Sequence, residues 1–191
     1  MLPELISVAL LVTKVLEDLD IPYLIGGSLA STAYGMIRTT QDVDIIADIK
    51  FSHVQDFFNS LKSVFFLDDQ MIVDAIETHS TINIIHRELM FKVDVFVIQD
   101  TPFENSELSH AKQLTITTEP ERTAFFAIPE DTILSKLRWY RIGGELSEHQ
   151  WRDVIGILKI RKGNLDIDYL RKWSAQLTVL DLFEKVLQDA I

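Results

Sequence analysis

The run Phe91-Lys92-Val93-Asp94-Val95-Phe96-Val97-Ile98 reads as a β-strand with a carboxylate in its middle. Burying that charge alone is costly, so a fold that accepts this strand must supply a counter-charge or a metal ion. Lys92 lies two residues before Asp94 on the same strand face and is placed to pair with it. The same period of two acts in Thr40-Gln41-Asp42-Val43-Asp44-Ile45, where Asp42 and Asp44 project together from a strand start and Ile46 continues their face. Two adjacent carboxylates repel each other, and either solvent or a divalent cation relieves them. An exposed strand start with solubilising acids would read the same way, because Asp-x-Asp is common. Arg38, just ahead of the pair, could neutralise it or reach a phosphate.

A second segment narrows the choice. Tyr23-Leu24-Ile25 is a short buried strand, and Gly26-Gly27-Ser28 turns from it into a helix ended by Gly35. A glycine turn at a helix N-terminus offers backbone N–H groups to an anion with no Cβ in the way. Ser28 could equally be an ordinary cap of that helix.

The rest of the chain alternates elements up to residue 128. Leu5, Val8, Val12, Val15 or Leu16, and Leu19 recur at helical spacing and predict a helix over 3–19, stopped by Asp20 and Pro22. Strands are expected at 43–49, 81–86 and 91–98, with a tight hairpin over 87–90. Residues 52–63 and 70–78 read as helices, and 113–127 is β-rich. From Pro129 onward the pattern is helical. Ile133, Leu134, Leu137 and Tyr140 form a stripe closed by Gly143-Gly144. Ser147-Glu148-His149-Gln150 has the form of a capping box, opening a helix with Trp151, Val154, Ile155 and Leu158 inward. Two more helices are expected near 166–176 and 178–190. This gives an α/β (α+β) chain in two parts: 1–128, a small mixed β-sheet with flanking helices, and 129–191, a C-terminal helical subdomain packed on it.

Charge follows the same division. The formal net charge of −11 resides in residues 1–128, with 8 Lys+Arg and 19 Asp+Glu, whereas 129–191 hold 10 of each. Nonspecific nucleic-acid binding by the whole molecule is disfavoured. Residues 132–172 carry 9 basic against 5 acidic side chains, which reads first as a solvated helical surface and second as a local RNA contact. Cysteine is absent, which removes disulfides and cysteine-based zinc sites and fits a reducing, cytoplasmic setting. No apolar run is long enough to cross a membrane, and the N-terminus does not read as a signal peptide. His53, His79, His86, His110 and His149 form no spacing typical of a metal or nucleophile–base site. Trp139, Trp151 and Trp173 read as packing residues of the helices.

Taken together, Gly26-Gly27-Ser28, then Asp42 and Asp44 fourteen residues on, then a single strand Asp94, resemble the DNA polymerase β-like nucleotidyltransferase superfamily over residues 20–100. The resemblance implies that Gly26, Gly27 and Ser28 hold a nucleoside triphosphate. It also implies that Asp42, Asp44 and Asp94 are catalytic and bind two Mg²⁺ ions, with Mn²⁺ as an alternative. Asp94 would serve the metal beside the attacking hydroxyl. Glu130 to Leu137, with Lys136, and Trp151-Arg152-Asp153-Val154 are similar to later motifs of the AbiEii-like (MenT-like) branch. That likeness implies Lys136 on the nucleotide phosphates and Asp153 near the active centre; Arg38, from its place before the acidic pair, is the other expected nucleotide contact. Where the branch commonly has a second Asp three residues after Asp153, this chain has Gly156. Snorkelling of Lys136 beside an apolar stripe, and a first-turn dipole role for Asp153, are the structural alternatives.

The branch includes toxins of toxin–antitoxin systems, so an antitoxin partner is an expectation of the same resemblance. The expected reaction moves an NMP from an NTP to an acceptor hydroxyl with release of pyrophosphate. The acceptor is expected to be RNA, or else a small molecule or a protein hydroxyl. A catalytically inactive nucleotidyltransferase-fold partner protein is the rival expectation.

Overall fold

The computed structural model describes residues 2–35 and 40–190. The chain divides into two compact units, Met1–Leu29 with Thr39–Phe126, and Ala30–Arg38 with Ala127–Ile191.

In the first unit, helix α1 (Leu2–Asp18) forms where apolar residues return every three or four positions. Leu5, Val8, Val12 and Leu16 are all fully buried along it. Asp20 leaves the helix with a left-handed backbone (φ 53°), and strand β1 (Tyr23–Ile25) follows Pro22. Helix α2 (Gly27–Ala33) begins in this unit and runs into the other. Strand β2 (Asp42–Ala47) is followed by a single 3₁₀ turn (Phe51–His53) and helix α3 (Val54–Leu61), which buries Phe57 and Leu61. Strand β3 (Phe65–Phe66) leads to helix α4 (Asp69–Thr78), capped by the Asp68 carboxylate accepting from the Met71 N–H at 2.7 Å. Strands β4 (Thr81–His86) and β5 (Lys92–Val97), helix α5 (Pro102–His110), and strands β6 (Lys112–Thr118) and β7 (Glu121–Phe126) complete it.

The seven strands make one mixed sheet in the order β3-β4-β5-β2-β1-β7-β6. The expected α/β class with a mixed sheet and flanking helices is what the chain adopts. Strand β2 lies between β1, antiparallel to it, and β5, parallel to it. Alternation sets the two faces of this centre. Val43, Ile45 and Ala47 of β2 and Val93, Val95 and Val97 of β5 are buried on one face. The residues between them, Asp42, Asp44 and Ile46 on β2 and Lys92, Asp94 and Phe96 on β5, share the other.

The second unit is built on helices α6 (Pro129–Ile142), α7 (Glu148–Ile160), α8 (Ile167–Gln176) and α9 (Leu180–Asp189). Pro129 occupies the first turn of α6, and the Ser147 and Asp166 side chains cap α7 and α8. Ile133, Leu134, Leu137, Val154, Ile157, Leu170, Phe183 and Val186 are fully buried in it. On α7 the inward residue after Val154 is Ile157, not Ile155, because residues 153, 154, 157 and 158 share one face at helical spacing. Trp173 is buried and Trp151 is half-buried against Tyr140, whereas Trp139 is half exposed.

Candidate active site

The register of β2 and β5 pairs Asp42 with Lys92 and Asp44 with Asp94. Neighbouring strands lie about 4.8 Å apart, so four charged side chains crowd one patch of one sheet face. Asn83 of β4 stands opposite Asp94 in the next rung.

The charges are arranged around Lys92. Its Nζ lies 2.6 Å from Asp94 Oδ2. The hydrogen bond to Asp94 holds the ammonium's pKa above its ordinary value, opposed by partial burial and reinforced by the charges of Asp94, Asp42 and Asp44. The pairing expected from the spacing of Lys92 and Asp94 is therefore present. Asp94 itself is 7% exposed, and its Oδ1 is buried with no hydrogen-bond partner. Asp42 is steadied by Thr40, whose hydroxyl donates to Asp42 Oδ1 at 2.6 Å. The sequence reading passed over Thr40, although a threonine two residues before an aspartate is a recognisable local hydrogen-bonding signal. Among the described residues, no three acidic or histidine side chains stand together as a ready metal site. The donors are nonetheless of the right kind for Mg²⁺: hard carboxylate oxygens, one of them buried and unsatisfied.

The glycine turn abuts this patch from the β1 side. Gly26 N–H donates to the Asp44 carbonyl at 2.9 Å, so that amide belongs to the sheet and is not offered to an anion. Gly27 has φ +56°, and a Cβ there would lie 1.7 Å from Asp44 Oδ2. The need for glycine thus arises inside the protein: the Asp44 carboxylate takes the space that a side chain would fill. At Gly26 an added Cβ would meet only the flexible end of Ile46, at 2.8 Å. Ser28 is buried in the first turn of α2.

On the β5 side, a hollow of about 460 Å³ is lined by Gln41, Asp42, Leu89, Met90, Phe91 and Lys92. Its apolar wall is the β4–β5 turn. The buried His86 ring builds that turn, its Nδ1 accepting from Glu88 N–H at 3.3 Å and Leu89 N–H at 3.1 Å. Met90 is held at φ 57°, a conformation costly for a side-chain-bearing residue. Leu89 and Met90 remain exposed, and the sequence reading identified only the turn, not the wall it makes.

Solved structures share this arrangement of elements. An antigenic nucleotidyltransferase-like protein from Paracoccidioides brasiliensis is 19% identical, covering 95% of this chain and 90% of its own, with a TM-score of 0.54. The antibiotic-resistance factor ANT(2'')-Ia is 11% identical over 97% of each chain, with a TM-score of 0.60. The chain has a nucleotidyltransferase fold. The lincosamide antibiotic adenylyltransferase LnuA in its lincomycin-bound form overlaps less well, at 14% identity, 77% of this chain, 92% of its own and a TM-score of 0.47. No protein-family model and no curated protein matches the sequence.

The nucleotidyltransferase fold carries a buried polar pair in its second unit. Lys136 is only 4% exposed, and its Nζ lies 2.8 Å from Asp153 Oδ2 and 3.2 Å from Gln150 Oε1. Lys136 does not snorkel to solvent. Asp153 sits past the first turn of α7, so the helix dipole is not what holds it there. Arg38 lies outside the described residues.

Proposed function

We propose that this protein is a Mg²⁺-dependent nucleotidyltransferase that moves an NMP from an NTP to an acceptor hydroxyl. The observation that carries this reading is the seating of Gly27 on Asp44 beside Asp94, on one face of a nucleotidyltransferase-fold sheet. Divalent cations held by Asp42, Asp44 and Asp94, with Mn²⁺ able to replace Mg²⁺, would neutralise the phosphates and make the acceptor hydroxyl more acidic. Gly27 and Ser28, at the start of α2, receive the triphosphate on the β1 flank of the carboxylates. The acceptor oxygen attacks the α-phosphorus as the bond to pyrophosphate breaks, and Asp94 Oδ1 takes the hydroxyl proton. Arg38 is a proposed contact of the phosphates.

The acceptor best suited to this chain is a small hydroxyl compound. A 460 Å³ hollow is of the size that holds small ligands. Asp42 and Lys92 of the charged patch are part of its lining. The acidic residues of 1–128 repel a polyanion, and several of the basic side chains of 132–172 already have partners. Lys136 is buried on Asp153, Arg141 meets Asp181 and Glu145, and Arg171 meets Glu184.

Release of pyrophosphate from each of the four NTPs, with Mg²⁺ and small-molecule extract as acceptor source, tests the reaction. Wild-type protein should release it, and Asp44→Asn should lose at least a hundredfold in rate while melting no lower than wild type. A protein that is stabilised by Mg²⁺ and NTP yet releases no pyrophosphate would instead be an inactive, antitoxin-like nucleotide binder.

A further inference from the structure

Three carboxylates on two neighbouring strands would repel one another strongly in a protein without metal, yet the site has a cation of its own. Lys92 Nζ bonds Asp94 Oδ2 at 2.6 Å, and Lys92 sits opposite Asp42 in the strand register. The other Asp94 oxygen is buried and unpartnered. We propose that the Lys92 ammonium stands in for a divalent cation among Asp42, Asp44 and Asp94, and is displaced when metal binds. This inference rests on the nucleotidyltransferase reading.

The observations separate what can move from what cannot. The Asp94 side chain is 11% exposed and anchored mid-strand, whereas the Lys92 side chain is 43% exposed on a flexible stem that also lines the hollow. An ammonium is a compact, strongly hydrated point charge, so its return to solvent recovers hydration. A guanidinium forked onto a carboxylate would be harder to displace. Asp94 Oδ2 is held by the lysine, while Oδ1 is buried and has no hydrogen-bond partner to release. Lys92 is a positioning residue in this scheme. It offsets the charge of Asp94 until a divalent cation replaces it, and so sets a threshold for loading.

The test is calorimetric titration of the full-length protein with Mn²⁺ alone, beside melting curves with and without Mn²⁺. Lys92→Met removes the competing charge and keeps the stem. It should melt lower than wild type without metal, recover with Mn²⁺, and bind Mn²⁺ about five- to tenfold more tightly. Lys92→Arg should bind Mn²⁺ more weakly than wild type, and it decides the matter should Lys92→Met prove too unstable to purify. Mn²⁺ affinity that is unchanged or reduced in Lys92→Met, or unchanged in Lys92→Arg, overturns the role of Lys92 while leaving the metal site standing. Absence of Mn²⁺ binding by wild type and both variants overturns the metal-dependent reading itself, and this inference with it.

Discussion

Gly27 shows how much a single position can demand. Its φ of +56° disfavours any side chain, and the space beside it belongs to the Asp44 carboxylate. The left-handed backbone alone should cost Gly27→Ala about 1–2 kcal/mol. For a chain of this length that is a fall in melting temperature of roughly 2–8 °C. The displaced Asp44 should also abolish Mg²⁺-dependent transfer, so activity should fall far more than stability does. Gly26→Ala, which meets only the tip of Ile46, should be much milder. Near-normal transfer by a folded Gly27→Ala protein would show that Asp44 need not sit where it does. The two aspartates and the glycines were readable because strand period and turn chemistry are local. What Gly27 makes room for was not readable, because Asp44 reaches it only through the pairing of β1 and β2.

Among the elements, legibility followed periodicity. Helix α1, strands β4 and β5 and helices α6 to α9 were visible as repeating apolar patterns. Helix α5 was missed because only Phe103 and Glu107 turn inward, so no stripe repeats, although Thr101-Pro102 is a good helix start. Strand β3 is two residues long and has no period to show. The pair joining α6 to α7 is the most consequential contact at this scale. Lys136→Met would leave Asp153 charged and buried, and urea unfolding should show a loss of about 3–5 kcal/mol. The double variant Lys136→Met/Asp153→Leu should recover much of that loss, because two apolar groups of similar size replace the pair. If both variants lose the same, the pair is not what couples these positions.

For the whole molecule, charge decides which acceptor can approach. Neutralising Arg161, Lys162, Arg171 and Lys172 together should leave transfer to a small acceptor within about twofold at low and moderate salt. An RNA acceptor would lose affinity steeply and show a flatter salt dependence, since each lost phosphate contact removes released counterions. A loss of that kind, with NTP binding intact, would restore RNA as the acceptor. Arg161 already lies over the Tyr34 ring, and Arg171 on Glu184, which limits what either offers to solvent. The sequence by itself determined the α/β class, the helical character of the C-terminal part, the acidic bias and the identity of the carboxylates, because each follows from composition or from the 2.0 and 3.6 residue periods. Only the tertiary structure decided that Asp44 and Asp94 are register partners on neighbouring strands, that Gly26 spends its amide on the sheet, and that Gly27 makes room for Asp44. Strand order and register bring together residues about fifty positions apart in the sequence, and no local pattern encodes that pairing.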